Sequence, residues 1–308
     1  MDHLNYLPEG SLYSTHRNTH YLESKTRLRE ASSHTVLEHF AVSCDADHAL
    51  HLDLPCGKAM IPREECAYGI AEGVTKDIAI LSRVGKPISF TVLDADHDPI
   101  LLSRKAVQEQ TRKRILHEVL PGDILLARVT HIEPFGIFVD IGSGFPSFIG
   151  IENLSVSRIT HPKEKFHPGQ SIFAVVTDVD RDAGRVYLSH KELLGTWIQN
   201  AELFHAGETV RGIVRSIEPY GIFVELTPNL SGLADPKAGL VRGDHVSVHI
   251  RSIIPSKMKI KLNIIDRIVP HPKAAAFRYF LPETHRMSQW QYSPVQCHEK
   301  NILTVFHR

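Results

Sequence analysis

The chain has 308 residues, with 35 Lys and Arg against 35 Asp and Glu, and 42% of its residues are hydrophobic. This length predicts two or three domains. The balanced charge excludes steering of a polyanion by net charge alone, so local patches would have to hold a nucleic acid. The sequence has no run of 18 uninterrupted apolar residues, and its N-terminus lacks a basic segment followed by an apolar one. Neither a membrane span nor a secretory signal is therefore expected.

The cysteines and histidines predict no covalent framework and no metal site. None of the four cysteines forms a CxxC pair, so we expect reduced cysteines in a cytoplasmic protein. Among the 20 histidines, His48 and His51 are three residues apart, but no Cys or carboxylate completes such a pair at a spacing typical of structural zinc. We expect no metal and no cofactor.

A ten-residue segment occurs twice in the chain. Residues 132–141 read IEPFGIFVDI and residues 217–226 read IEPYGIFVEL, so seven of the ten positions are identical at a separation of 85 residues. Each copy is followed by a glycine, an apolar run, a polar turn and a short alternating run, and this second half occurs a third time after Gly85. Because β-branched runs that alternate with period two are typical of strands, we predict three units of about five strands each.

The predicted elements, taken in chain order, give a mainly β protein. A stretch without Gly or Pro predicts a helix over 104–120, and an apolar face predicts a second helix over 190–204. Strands of the middle unit are predicted near 123–132, 136–142, 146–151, 170–179 and 184–190. The chain is divided into an N-terminal extension, three units with two helical linkers, and a C-terminal extension, at 1–32, 33–105, 106–118, 119–191, 192–204, 205–265 and 266–308.

Two strands carry an aromatic residue where the pattern asks for a polar one. If the aliphatic residues of GIFVDI (136–141) face the core, Phe138 lies beside Asp140 on the other face, and the carboxylate marks that face as solvent-exposed. The third unit repeats the arrangement with Phe223 beside Glu225. Exposed aromatics on a small barrel suit stacking with nucleic-acid bases. The alternative is that they pack against a neighbouring barrel or helix.

Positive charge is distributed unevenly along the chain. Residues 29–103 contain six basic and twelve acidic side chains, whereas residues 205–265 contain eight basic and five acidic ones. In the third unit, KMKIKL (257–262) predicts a strand with lysines along one face. The tail also carries aromatic residues, which are predicted either to form a further exposed surface or to pack as a cap on the third unit.

These residues resemble the S1 RNA-binding domain family, whose members are five-stranded OB-fold barrels. The resemblance rests on Gly122-Asp123, FGIFVDIG, GIENLS, FHPGQ and VTDVDRDAGRVYLSHK, and it extends over 120–191 and 205–264 and, more weakly, over 33–105. It implies the fold class of tandem S1-type OB barrels joined by short helices. The whole chain resembles the multi-S1-domain homologues of ribosomal protein S1 in clostridia and their relatives.

The resemblance also implies a set of RNA-binding residues. In the first unit, His48 and His51 occupy the aromatic positions, so we expect this acidic unit to act in docking and residues 1–105 to be dispensable for RNA affinity. The histidine that the family places after its third strand is replaced by Gly150 in the middle unit and Asp235 in the third. The candidate RNA-binding residues, including the lysine stripe, are Phe135, Phe138, Asp180, Arg185, Tyr220, Phe223, Lys257, Lys259 and Lys261.

The predicted function is binding of single-stranded RNA, specifically mRNA, in translation, with the small ribosomal subunit as a partner and no membrane or small-molecule substrate. The alternatives are a regulator of RNA stability and a ribosome-associated interaction scaffold. We expect no enzyme, because no long segment outside the units remains for a catalytic domain and neither a GxSxG nor a P-loop occurs.

Overall fold

Three closed five-stranded barrels follow one another in the computed structural model, which describes residues 6–31, 35–270 and 276–307. The predicted start of the first unit near residue 33 lies outside the described residues. Each barrel has the same connectivity: its first strand pairs with its second and fourth, the third strand pairs in parallel with the fifth, and the other pairings are antiparallel. The predicted class of tandem OB-type barrels is confirmed.

The strands are short, and several of them alternate between buried and more exposed residues, as the period-two pattern predicts. The first barrel comprises β1 to β5, at Leu37–Cys44, Leu50–Leu54, Gly57–Ile61, Pro87–Asp94 and Ile100–Ser103. The middle barrel comprises β6 to β10, at Ile124–Glu133, Gly136–Asp140, Pro146–Gly150, Ser171–Asp180 and Arg185–Ser189. The third barrel comprises β11 to β15, at Thr209–Glu218, Gly221–Thr227, Leu230–Ala234, His245–Ile254 and Lys259–Arg267.

Short helices cover the first barrel and lead into the middle one. Helix α1 (His16–Leu22) and helix α2 (Lys25–Glu30) each begin at a hydroxyl N-cap and pack one leucine into the first core. Helix α3 (Ile78–Leu81) is a single turn. Helix α4 (Lys105–Glu118) is the first predicted linker helix, and its Ile115 is buried in the core of the middle barrel. No helix among the described residues is long and apolar enough to span a membrane.

The second linker is not the single helix that the apolar pattern predicts. A 3₁₀ turn at Lys191–Leu194 ends at Gly195, and helix α5 (Trp197–Ala201) begins separately with Thr196 as its N-cap. Gly195 has φ +86°, a conformation that other residues rarely adopt, so the helix cannot continue through it. Leu193 and Trp197 are still buried together in the junction between the middle and third barrels.

The C-terminal segment packs as a cap at that junction. It contains a two-stranded sheet of β16 (Gln289–Gln291) and β17 (Leu303–Val305). Trp290, Tyr292 and Phe306 are buried in the same cluster as the core of the third barrel, and Tyr292 also accepts a backbone hydrogen bond from Trp197 through its carbonyl group. Of the two alternatives for the tail aromatics, the structure shows the packed cap for these three residues.

Candidate nucleic-acid interface

Four neighbouring strands of the middle barrel carry a continuous row of aromatic rings on their outer face. In the sheet register Phe138 of β7 is paired with His131 of β6 and with Phe148 of β8, and Phe148 is paired in turn with Tyr187 of β10. Cross-strand partners lie on the same face of a sheet, so the four side chains belong to one surface. We call His131, Phe138, Phe148 and Tyr187 the aromatic row.

The rings of this row are close enough to form a platform. The Phe138 and Phe148 centroids are 5.1 Å apart, and the His131 centroid lies 6.3 Å from Phe138. Phe135, at the turn before β7, stands 5.6 Å from Phe148 and is 58% exposed. Tyr187 is 42% exposed, whereas the two central phenylalanines are half-buried by their neighbours. His131 and Tyr187, at the two ends of the row, therefore expose their rings to solvent, while Phe138 and Phe148 at its centre support them.

The corresponding row of the third barrel is more varied. Phe223 of β12 is paired with Ser216 and Leu233, and Leu233 is paired with Lys261 of β15. We call these four residues the mixed row. Tyr220 stands edge-on to Phe223 with centroids 6.3 Å apart and is 67% exposed. This barrel thus combines one aromatic pair with a lysine.

The first barrel has no aromatic row at these positions. The register places His51 where Phe138 lies, beside Ser43 and Met60, and Met60 is paired with Leu101. The histidines at the two aromatic positions of this barrel are each tied to a carboxylate: His51 to Asp45 at 2.8 Å and His48 to Asp77 at 3.3 Å. A polyanion would meet carboxylates here.

The structure brings some predicted residues together and separates others. Arg185 is exposed at the start of β10, two positions before Tyr187 on the same face, and Lys259 occupies the matching place before Lys261. Asp180 instead holds the β9–β10 turn by accepting a hydrogen bond from the Ala183 amide at 2.8 Å.

The prediction of a three-lysine strand stripe is partly wrong. Lys257 lies in a 3₁₀ turn before β15, because Met258 adopts a left-handed conformation with φ +48° and interrupts the strand pattern. Lys259 and Lys261 remain exposed on one face of β15. Only these two lysines therefore share a strand face in the way the alternation predicts.

The prediction that Asp140 marks a solvent face is wrong, because the N-terminal segment covers this carboxylate. Asp140 is 4% exposed and accepts hydrogen bonds from the backbone amides of Glu9, Gly142 and Gly144 at 2.7, 2.8 and 2.9 Å. Burial, together with the negative charge of Glu9, raises the pKa of Asp140 above its ordinary value. Asp140 therefore anchors the N-terminal segment to the middle barrel.

Glu225 is buried for an analogous reason at the next junction. It is 7% exposed and binds Lys165 and Arg215, each at 2.8 Å. Arg215 also contacts Glu164, which lies with Lys165 in the loop between β8 and β9. The predicted solvent-facing Glu225 is thus a charged anchor between the middle and third barrels. By contrast, Asp53, at the matching position of the first barrel, remains exposed and pairs with Lys58.

Sequence reasoning did not identify the full aromatic row. Phe148 alternates with buried Ser147 and Ile149 in β8, which signals an outward aromatic, but its place beside Phe138 follows only from the register. His131 likewise became part of the site only through its pairing. Among the described residues, no group of three or more His, Cys, Asp or Glu side chains is arranged to hold a metal ion.

Comparison with known proteins matches the middle barrel to a nucleic-acid-binding family. Residues 118–191, which contain the complete aromatic row, match the S1 RNA binding domain. The chain is 30% identical over 223 residues to the small ribosomal subunit protein bS1 homolog of Bacillus subtilis, covering 70% of this chain and 57% of that protein. It is 28% identical over 211 residues to small ribosomal subunit protein bS1 of Staphylococcus aureus, covering 63% and 54% respectively.

The chain spans about half the length of the curated relatives it matches. Among solved structures, a multidomain protein with nucleic acid binding domains from Streptococcus pneumoniae aligns over 78% of this chain and 76% of its own, at 13% identity and a TM-score of 0.27. The middle barrel therefore carries the sequence of an S1 RNA binding domain, and the chain is similar to small ribosomal subunit protein bS1.

Proposed function

We propose that this protein binds single-stranded RNA on the outer faces of its middle and third barrels and acts in translation, in the cytoplasm, at the small ribosomal subunit. The observation that carries the proposal is the aromatic row, which crosses four strands of the barrel that matches the S1 RNA binding domain. Every base has a π-face, and stacking on an aromatic side chain contributes about 1–3 kcal/mol per base with little sequence preference.

The two barrels contribute different parts of the binding energy in this proposal. The middle barrel supplies stacking through its aromatic row and Phe135, with Arg185 beside it for a phosphate. The third barrel supplies one stacking pair, Tyr220 and Phe223, while Lys259 and Lys261 neutralise phosphates. Such electrostatic contacts release counterions from the RNA, so the affinity depends strongly on salt.

Asp180 and Lys257 have smaller roles than the aromatic residues in this proposal. Asp180 shapes the β9–β10 turn from which Arg185 projects, so it positions a contact rather than making one. Lys257 is exposed in the turn before β15 and adds positive charge near the third barrel's lysines.

The proposed activity is binding without a catalytic reaction. The similar proteins bear the names of ribosomal proteins. Incubating labelled single-stranded RNA with the protein, with and without magnesium, should leave the RNA intact. Cleavage that requires magnesium would overturn this part of the proposal.

A scaffold function is the second candidate for the first barrel. Its aromatic positions hold histidines tied to Asp45 and Asp77, so its outer row lacks the chemistry of a stacking surface. Regulation of RNA stability is the corresponding alternative for the RNA-binding barrels, since the same contacts would protect RNA from nucleases.

Two measurements test the proposal. Fluorescence anisotropy should give tight binding to labelled oligouridine and much weaker binding to an RNA duplex, because the bases of a duplex cannot reach the aromatic row. Sedimentation with ribosomal subunits, before and after a salt wash, should place the protein with the small subunit. Equal affinity for duplex and single strand would contradict the stacking mechanism, and absence from the small-subunit fractions would favour a role in RNA stability.

A further inference from the structure

A groove of about 810 Å³ runs along the aromatic row where the first barrel meets the middle one. One wall is the outer face of the middle barrel, including Phe138, Phe148 and Tyr187. The opposite wall belongs to helix α4 and to the segment 67–83 of the first barrel, through Tyr68, Arg83 and Arg112. We call this space the inter-barrel groove. The barrel whose sequence shows no RNA-binding residues thus forms half of the space in front of the aromatic row.

The charges that line the inter-barrel groove are mainly positive, and two of its four arginines are free to act. Arg112 and Arg185 have no carboxylate partner among the described residues. In the described part of the chain, Asp140 is the one carboxylate that lines the groove, and three backbone amides already engage it. Glu9, outside the lining, is held by Arg104 with a shortest contact of 2.6 Å. An anion entering the groove would therefore meet two available guanidinium groups and no free carboxylate on this wall.

Arg112 is held at the point where the two barrels and the helix meet. Its guanidinium carbon lies 5.1 Å from the centre of the Tyr68 ring, an arrangement that favours a cation. On its other side it packs against the β9–β10 turn, where a Cβ added to Gly184 would come within 1.7 Å of the Arg112 Nη2 atom. The guanidinium group therefore lies between the Tyr68 ring and the backbone of this turn.

A second cavity continues the positive track beyond Arg112. It has a volume of about 460 Å³, shares Tyr68 and Arg112 with the inter-barrel groove, and is lined further by Lys113, His117 and Arg181. Glu109 is the one carboxylate on its wall. The two spaces together lead from the aromatic row past Arg112 along the basic side of helix α4.

The geometry of the inter-barrel groove is fixed by buried polar contacts. Glu9 binds Arg104 and the Ser89 amide of the first barrel, while its own amide donates to Asp140 of the middle barrel. Burial would raise the pKa of Glu9, but the adjacent Arg104 guanidinium holds it below its ordinary value. A pairing of this kind keeps the two barrels in one relative orientation, so the groove exists before any ligand binds.

We propose that the inter-barrel groove is the path of single-stranded RNA across the middle barrel, with the first barrel and helix α4 forming the opposite wall. This inference rests on the proposed function and specifies where the RNA runs. Bases stack on Phe138, Phe148 and Tyr187, while Arg112 and Arg185 bind phosphates on either side. The RNA then leaves along the second cavity toward Lys113 and Arg181. RNA suits the groove because it offers flat bases and phosphates at regular intervals.

The proposal gives the first barrel the opposite role to the one its sequence indicates. A barrel that only docks would make residues 1–105 dispensable for RNA affinity. Deleting them is not a clean test, because it would also remove Glu9 and expose Asp140. Point substitutions in the full chain are therefore needed.

The test compares Arg112→Glu and Tyr68→Ala with Arg17→Glu by anisotropy on labelled oligouridine at fixed salt. Arg17 is exposed on helix α1 and does not line either cavity, so its reversal changes net charge equally. A hydrogen bond to a charged group is worth about 1.5–3 kcal/mol. We therefore expect Arg112→Glu to weaken binding roughly 10- to 100-fold relative to Arg17→Glu. Arg112→Lys keeps the positive charge but loses the paired hydrogen-bond donors of the guanidinium group, so it should give an intermediate loss of affinity.

The possible outcomes separate this inference from the proposed function. Loss of affinity in the Phe138→Ala protein, with Arg112→Glu and Tyr68→Ala indistinguishable from Arg17→Glu, would overturn the groove while leaving RNA binding on the aromatic row intact. Failure of the unaltered protein to bind oligouridine would overturn the proposed function itself. Unchanged circular dichroism and thermal unfolding confirm that each variant is folded, and Arg112→Lys supplies the answer if Arg112→Glu does not fold.

Discussion

The middle and third barrels carry nearly the same ten-residue segment, yet the surfaces built around it differ. In the middle barrel Phe138 is flanked by His131 and Phe148, whereas in the third barrel the corresponding Phe223 is flanked by Ser216 and Leu233. The repeated segment therefore does not by itself determine the binding surface. The outer surface of each barrel depends on the side chains that the neighbouring strands supply.

The surroundings of the acidic residue near the end of the repeated segment also differ between the barrels. Asp140 is satisfied by backbone amides, Glu225 by two basic side chains, and Asp53 in the first barrel by an exposed lysine. The position recurs in all three barrels, but what covers it differs. Replacing this residue should therefore change the free energy of unfolding by a different amount in each barrel.

The largest expected effect is at Glu225. Glu225→Gln leaves Lys165 buried without its counter-charge and leaves Arg215 with Glu164 as its remaining carboxylate, and removing one partner of a buried ion pair costs about 3–5 kcal/mol. Urea unfolding should show this loss in the free energy of unfolding. Asp140→Asn, whose oxygen still accepts from the Gly142 and Gly144 amides although its NH₂ cannot accept from the Glu9 amide, should cost less, and Asp53→Asn should stay within about 0.5 kcal/mol. Equal losses at all three positions would contradict the assigned anchors.

The second effect is a pH dependence of stability that His190, next to the middle barrel, should cause. His190 follows β10 and is fully buried: its Nδ1 donates to the Leu154 carbonyl at 2.8 Å, and Tyr279 contacts its Nε2 at 3.1 Å. Burial lowers the pKa of His190 to about 4. The unfolded chain, with an ordinary histidine pKa near 6.5, binds more protons between these values. The free energy of unfolding should therefore fall by about 3 kcal/mol as the pH drops from neutral to about 4.

The control for this effect is His190→Gln, which can replace both hydrogen bonds without titrating. Unfolding of the two proteins followed from pH 7 to pH 4 should show a difference that shrinks in acid, because only the unaltered protein loses the contribution of its neutral imidazole. Parallel curves would mean that His190 contributes nothing to the pH dependence.

The third effect compares the aromatic residues directly. Phe138→Ala and Phe223→Ala should each weaken binding to oligouridine by about 1–3 kcal/mol, with the larger loss for Phe138 because it lies at the centre of the aromatic row. Tyr13→Ala is the matched control, because Tyr13 is an exposed tyrosine of the N-terminal segment that stands edge-on to Phe40 of the first barrel. If both phenylalanine variants bind normally and unfold many degrees lower, the rings are packing residues and the alternative stated from the sequence holds.

The smallest effect concerns the lysines of the third barrel. Each phosphate neutralised adds about −0.7 to the slope of log K against log salt for single strands. With about three to five contacts, the slope of the unaltered protein should be roughly −2 to −3.5. Lys259→Ala and Lys261→Ala should each make it shallower by about 0.7, whereas Lys58→Ala, paired with Asp53, should not. A slope near zero in the unaltered protein would remove the electrostatic part of the account.

The strands can be predicted from the sequence, whereas the segments that cover their outer faces cannot. Period-two alternation predicts the strands of the middle barrel to within a few residues, because one face of each must be buried. The same alternation assigns Asp140 and Glu225 to the outer face but cannot show that another segment covers that face. Likewise, an apolar spacing predicts one helix over 190–204, while the left-handed Gly195 breaks it.

The candidate site was predictable only in part, for a related reason. Phe138 and Phe223 are visible as aromatics on a polar face, and each lies on the outer row of its barrel. The pairing of Phe138 with Phe148 depends on register between strands, and the approach of Tyr68 to Arg112 depends on how two barrels pack. Neither the register between strands nor the packing of two barrels can be predicted from the periodicity of a local segment.

The most direct test of the central claim is to locate the RNA on the folded protein. Oligouridine containing 4-thiouridine would be crosslinked to the full chain and the tryptic peptides identified by mass spectrometry. Binding on the aromatic row predicts crosslinks within peptides 129–158 and 186–191, which contain its four residues, with weaker labelling of 216–237 around Tyr220 and Phe223. Crosslinks confined to the first barrel's outer row or to the C-terminal cap, with these peptides unlabelled, would contradict the account.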